Sequence, residues 1–233
     1  MPTILHIESS TLTCSVAVSV NGETIGLKES HDQSYGHSEK LVVYVDEVIK
    51  EAGLTPQDLD AVCVSKGPGS YTGLRIGVSA AKGLCYGLGI PLLSVGSLES
   101  MTHWAMLNFK EELADVSLLC PMIDARRMEV YTQLFDTSLN VIQPVSAEII
   151  DEHSFSSELE NGKVVFFGDG AAKCKEIINH PNAVFLDEFN PSACGMIAIA
   201  EAKFSAKQFE DVAYFEPYYL KDFVAGKPKK MFS

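Results

Sequence analysis

Two short stretches of the chain carry residue types that could handle a phosphate. Glu8, Ser9 and Ser10 close an apolar run, where a carboxylate and two hydroxyls could meet a phosphate or its magnesium ion. The competing reading has the hydroxyls capping a turn and Glu8 facing solvent, and the residues alone leave the two level. Gly67, Pro68, Gly69 and Ser70 form the other stretch, a turn whose following helix would aim unpaired N–H groups at an anion. It lacks the GxxxxGK[ST] spacing, and Lys66 precedes the loop, so a tight turn feeding a close-packed helix is the favoured reading. Gly168, Asp169 and Gly170 invite the same thought, but a GxG without a third glycine defaults to a turn.

Other chemistry finds little support. His31, His37, His103, His153 and His180 show no HxxH, HxxxH or HExxH spacing, so no metal site is readable. His37 stands just ahead of a helix start and reads as a polar cap or an interface contact. Asp124, Arg126 and Glu129 surround a strand turn and read as an ion pair that fixes it. No GxSxG nucleophile motif occurs. The chain presents no self-sufficient active site.

Composition narrows the classes further. A net charge of −13 over 233 residues opposes direct binding to a polyanion, so any RNA would be held mainly by another subunit. The one basic cluster, Lys227, Lys229 and Lys230, reads as a solvated terminus. Six dispersed cysteines without a CxxC pair read as reduced, buried thiols. No run approaches the roughly 18 apolar residues of a membrane span, and MPTILHIESS has no leader character, so a cytoplasmic location is expected.

The elements that must position these groups alternate as in an α/β protein. TILHIE, CSVAVSV and the stretch from Glu23 to Lys28 read as an antiparallel meander, its second turn marked by Asn21-Gly22. Helical periodicity runs from Ser38 to Ala52, a buried strand from Leu59 to Ser65, and a second helix from Tyr71 to Gly87. A short strand from Pro91 to Val95 and a helix from Ser97 to Phe109 follow. The second half repeats the pattern, with a helix expected from Gly168 through Ile178 and another from Ser192 to Phe204. On the glycine-rich helix Gly73, Gly77, Ala80, Ala81 and Leu84 recur every three or four residues, giving a face of mostly small side chains. Each helical glycine costs about 1 kcal/mol relative to alanine, so something must pack closely on that backbone.

Several motifs together resemble the TsaB family: ILHIESSTLTCSVAV, HSEKL, GPGSYTGLRIGVSAAKGL, IDARRMEVY, FFGDGA and YYLKDFVA, in the family's order. The resemblance implies an α/β fold of two related lobes of the actin-like ATPase (ribonuclease H-like) type, the second reduced. The order of the elements puts the boundary near Gly96 to Phe109, giving lobes at residues 1–104 and 105–233, with the segment after about 212 expected to pack back on the first. The resemblance also implies a non-catalytic scaffold required with a TsaD-like catalytic subunit, a TsaE-like ATPase and ATP for threonylcarbamoyl transfer to tRNA. The chain alone would bind no cofactor, ATP and magnesium being used by the complex, and would form a homodimer without its partner. The helices at 38–52 and 71–88 would face that partner through His37, Leu41, Val45, Tyr71, Gly73, Leu74, Gly77, Ala80, Ala81 and Leu84. Glu8, Ser9, Ser10, Gly67, Gly69, Ser70, Gly168 and Gly170 would then be a vestigial phosphate site. Two departures stand out: the family commonly has Asp where this chain has Glu8, and the HxxxH pair of the catalytic relative is absent. The alternative is a stand-alone ATPase or phosphotransferase built on Glu8, Ser10 and the two glycine turns. A peptidase has no nucleophile or metal constellation behind it.

Overall fold

Alternating β-branched and small residues produce the opening meander of β1 (Thr3–Glu8), β2 (Cys14–Val20) and β3 (Glu23–Ser30), each antiparallel to the next. Asn21 and Gly22 turn the second hairpin with φ of 53° and 78°, the left-handed pair such a two-residue turn requires. The computed structural model describes residues 2–31 and 36–221, so the basic cluster at Lys227, Lys229 and Lys230 lies outside the described residues.

Next come α1 (His37–Glu51), β4 (Ala61–Ser65), α2 (Tyr71–Leu88), β5 (Leu92–Val95) and α3 (Ser97–Asn108). β4 lies parallel beside β1 and β5 parallel beside β4, giving the order β3-β2-β1-β4-β5. Every residue of β4 is buried because both faces of the sheet are covered, and a continuous apolar run is what such a strand needs. On one face Leu41, Val48, Val78 and Ala81 of α1 and α2 pack on Leu5, Ile7, Val16 and Val62. On the other, Ile4, Ala17, Cys63 and Leu93 meet Ala193, Met196 and Ala200 from near the C-terminus.

The second sheet repeats the plan. β6 (Leu118–Asp124), β7 (Glu129–Asp136) and β8 (Val141–Ile149) form an antiparallel meander, and β9 (Val164–Phe167) and β10 (Ala183–Phe185) add in parallel. The order β8-β7-β6-β9-β10 matches that of the first sheet strand for strand. This is the expected pair of related α/β lobes. The second is reduced in its helices: α4 (Ser156–Asn161) has 6 residues where α1 has 15.

One expected helix is absent. Between Gly168 and Ile178 the chain forms only a 3-10 turn, Ala172–Cys174. Gly168 has φ of 103° and Gly170 N donates to Met122 O at 3.1 Å, so the segment begins tied to β6 and not as a free helix start. The last helix also differs, starting as the 3-10 turn Ala193–Met196 and continuing as α5 (Ile197–Ser205). Between the sheets runs α3, whose Leu98 and Met101 pack with Leu119 and Phe167 while Trp104 touches the cores on both sides. All six cysteines are free and buried.

Candidate functional site

The two stretches singled out as phosphate-handling meet where β1 ends and α2 begins. Ser70 N donates to Ser10 O at 2.6 Å, and the Ser70 hydroxyl caps α2 by accepting from Gly73 N at 3.2 Å. Ser9 bridges the same elements, its hydroxyl donating to Gly73 O at 3.0 Å and its amide to Ser65 Oγ at 3.3 Å. Glu8 is wholly buried; its Oε1 accepts from Ser10 N at 2.6 Å, which rules out the solvent-facing alternative. Its Oε2 and the Ser10 hydroxyl have no hydrogen-bond partner.

Burial raises the pKa of Glu8 above its ordinary value, against the pull of the Ser10 amide that donates to its Oε1. A raised carboxylate contributes stability that is fully present below its unfolded value of 4.5 and lost as pH rises through the folded one. Glu8→Gln keeps a neutral group there at all pH. The variant is therefore expected to gain stability over the parent at pH 8 but not at pH 4, by urea denaturation at both. An equal gain at the two pH values would contradict the assignment.

In front of this junction lies a cleft of about 550 Å³ between the lobes. Ser10, Thr11, Leu12 and Gly69 to Thr72 line one wall, and Asp124, Ala125, Arg126, Tyr131 and Asp169 the other. Tyr218, Tyr219, Leu220 and Lys221 form its mouth. Arg126 and Arg127 turn the β6–β7 hairpin with φ of 69° and 50°. The expected ion pair within that turn is corrected: Asp124 pairs with Lys173 and Glu129 with Lys221, while Arg126 contributes only its backbone amide, 2.9 Å from Asp124 Oδ1.

Of the residues expected to hold a phosphate, Ser10, Gly69 and Ser70 line the cleft, while Glu8, Ser9, Gly67, Gly168 and Gly170 do not. Glu8 is sealed behind Ser10 and does not line the cleft. Asp169 accepts from Asp124 N at 3.1 Å, and burial pushes its pKa up. Gly168 and Gly170 do not face the cavity as anion loops; a Cβ on the first would overlap Met122 O, and on the second it would lie 2.9 Å from Ile123 C. Among the described residues no group of three or more His, Cys, Asp and Glu could hold a metal ion.

Residues 31–226 match the family model described as TsaD: tRNA N6-adenosine threonylcarbamoyltransferase. The chain belongs to this family. Within it the similarity is to TsaB proteins. The chain is 27% identical to the Haemophilus influenzae tRNA threonylcarbamoyladenosine biosynthesis protein TsaB, over 97% of this chain and 96% of that one. Identity to the Escherichia coli protein of the same name is 29%, over 96% of each. A Pseudomonas aeruginosa crystal structure described as similar to the peptidase YeaZ superposes with a TM-score of 0.81 at 22% identity, covering 95% of this chain and all of that one, and shows the same fold.

As a member of this family the chain was expected to meet a partner through the small-residue face of α2, and here the structure corrects the residue set. A Cβ on Gly73 would overlap the Ser9 carbonyl, and one on Gly77 would overlap the Ser9 hydroxyl. The close neighbour demanded by those glycines is the chain's own β1–β2 turn. Leu74 and Ala81 are buried in the core, as are Leu41 and Val45 of α1. His37 is buried too, its Nε2 donating to Thr13 O at 3.0 Å. Only Tyr71, Ala80 and Leu84 of the expected set keep partial exposure. The solvent-facing sides carry different residues: Val42 at 67% and Val43 at 50% exposure on α1, and Tyr86 at 87% on α2.

The second wall and the mouth of the cleft escaped sequence reasoning. Tyr131 and Asp169 fall within IDARRMEVY and FFGDGA, but nothing in those motifs set them across a cleft from the first lobe, which tertiary packing alone does. The density of aromatic residues in VAYFEPYYLKD was the available signal for the mouth.

Proposed function

We propose that the chain serves tRNA threonylcarbamoyladenosine biosynthesis as a non-catalytic scaffold for a TsaD-like catalytic subunit. A TsaE-like ATPase joins that complex, which uses ATP and magnesium and holds the tRNA mainly through the partner. Without the partner the same face closes a homodimer. The observation supporting this reading is the outward side of α1 and α2, neighbours on one face of the first sheet. There Val42, Val43 and Tyr86 stand in solvent while the helices' inward sides are fully occupied. Exposed aliphatic and aromatic side chains of this kind make anchors once water is excluded around them. No helix among the described residues is long and apolar enough to cross a membrane.

Gly77→Leu would drive a side chain into Ser9 and break the fold, so it cannot report on an interface. Val42→Asp and Tyr86→Asp alter exposed positions and leave packing intact. Each is expected to weaken TsaD binding by roughly thirtyfold or more, the scale of an interface hot spot, with thermal unfolding unchanged. Parent-like binding by both variants, measured by calorimetry on the purified subunits, would refute the surface. The alternative, an ATPase acting alone, draws on the 550 Å³ cleft. Saturable Mg-ATP binding to the pure chain, with turnover lost in Ser10→Ala, would promote it.

A further inference from the structure

After α5 the chain runs back along the first lobe and is pinned there repeatedly. Glu210 N donates to Leu92 O at 2.8 Å, and Ser94 Oγ donates to the Glu210 carboxylate at 2.5 Å. Lys82 Nζ donates to Ala213 O at 3.1 Å and Phe215 O at 2.9 Å, while Val212 and Phe215 pack on the core beneath α1 and α2. Tyr218 N then donates to Lys66 O at 2.7 Å. Its carbonyl comes so near Gly67 that a Cβ there would lie 2.7 Å from it, which suits a glycine with φ of 110°.

Beyond Tyr218 the character of the contacts changes. Tyr219 rests its ring on Tyr71, centroids 4.8 Å apart, and Lys221 crosses to the second lobe to pair with Glu129 on β7. These four residues, Tyr218 to Lys221, are the mouth of the inter-lobe cleft. Among the described residues, the segment thus has a fixed end on one lobe and a single ionic attachment on the other. The Lys221 side chain is 43% exposed and that of Glu129 19%, so the attachment remains accessible to water.

We infer that residues 218–221 are a latch, held by the Lys221–Glu129 pair, that closes the cleft between the lobes. Releasing the pair lets Tyr219 to Lys221 swing away while the anchors up to Tyr218 hold. That uncovers the Tyr71 ring and opens the unpartnered Ser10 hydroxyl to solvent. The latch is a property of this chain's fold and does not depend on the scaffold reading.

Hydrogen exchange on the full chain tests it through a double-mutant cycle. Lys221→Gln and Glu129→Gln are each expected to speed exchange about fivefold in segments 10–12, 69–72 and 123–126, with β4 and β9 unchanged. The double variant is expected to exchange no faster than either single one, because both changes release the same contact. Unchanged exchange in both single variants would overturn the proposal. So would a double variant about twenty-five times faster than the parent, since independent effects would multiply.

Discussion

Alanine at Gly73 will cost the protein about 3 kcal/mol or more, whereas alanine at Gly83, ten residues along the same helix, will stabilise it by about 1 kcal/mol. The opposite signs come from surroundings, since both glycines sit inside α2. At Gly73 the added methyl would overlap the backbone carbonyl of Ser9, and backbone cannot rotate aside as a side-chain tip can. The same turn is bound to the helix by the Ser9 hydroxyl on Gly73 O, so relieving the overlap also breaks that bond. Gly83 is exposed with nothing within 4 Å of a built Cβ, leaving only the entropic advantage of alanine. Against a typical total of about 5–15 kcal/mol, the first change removes a large share of stability. Urea denaturation of the two variants measures both effects, and equal midpoints would remove the claim that the β1–β2 turn presses on α2.

Acid will destabilise the fold through His6. This residue is fully buried on β1, its Nε2 2.8 Å from Ser19 Oγ and its Nδ1 without a partner. Burial lowers its pKa from 6.5 to about 3, because protonation would place a cation among Ile4, Ala17 and Cys63 with no acceptor for its second N–H. The unfolded chain takes up the proton near pH 6.5 and the folded chain does not until about pH 3. Stability therefore falls with decreasing pH across that window, by up to roughly 1.4 kcal/mol per pH unit. Glu8 acts in the opposite sense, since its raised pKa favours the folded state as pH drops. His6→Gln carries no titrating group, and its stability between pH 6.5 and pH 4 should fall much less steeply than the parent's. A slope identical to the parent's would show that His6 is not the group responsible.

How the site could be read in the sequence depended on the range of the forces involved. Asn21-Gly22 announced its hairpin because left-handed backbone angles are a property of those two residues, and the capping hydroxyl of Ser70 likewise acts three residues away. Strand runs were legible because β4 is buried on both faces and must be apolar throughout. The glycines of α2 also declared that something pressed on the helix. What pressed on it was not written there, because a small residue reports only the lack of room. A turn from the same chain and the backbone of another protein would demand the same glycine.

The sequence by itself thus determined the order of the strands, the repeated strand plan, the tight turns and the requirement for close packing at Gly73 and Gly77. These follow from local dihedral limits and from hydrophobic periodicity. Only the tertiary structure decided that Ser9 fills that space and that Glu8 is sealed behind Ser10. It alone set Lys221 on Glu129, a pair 92 residues apart. Burial and long-range pairing are set by which surfaces meet when the sheets stack, and no residue's type records what will lie opposite it.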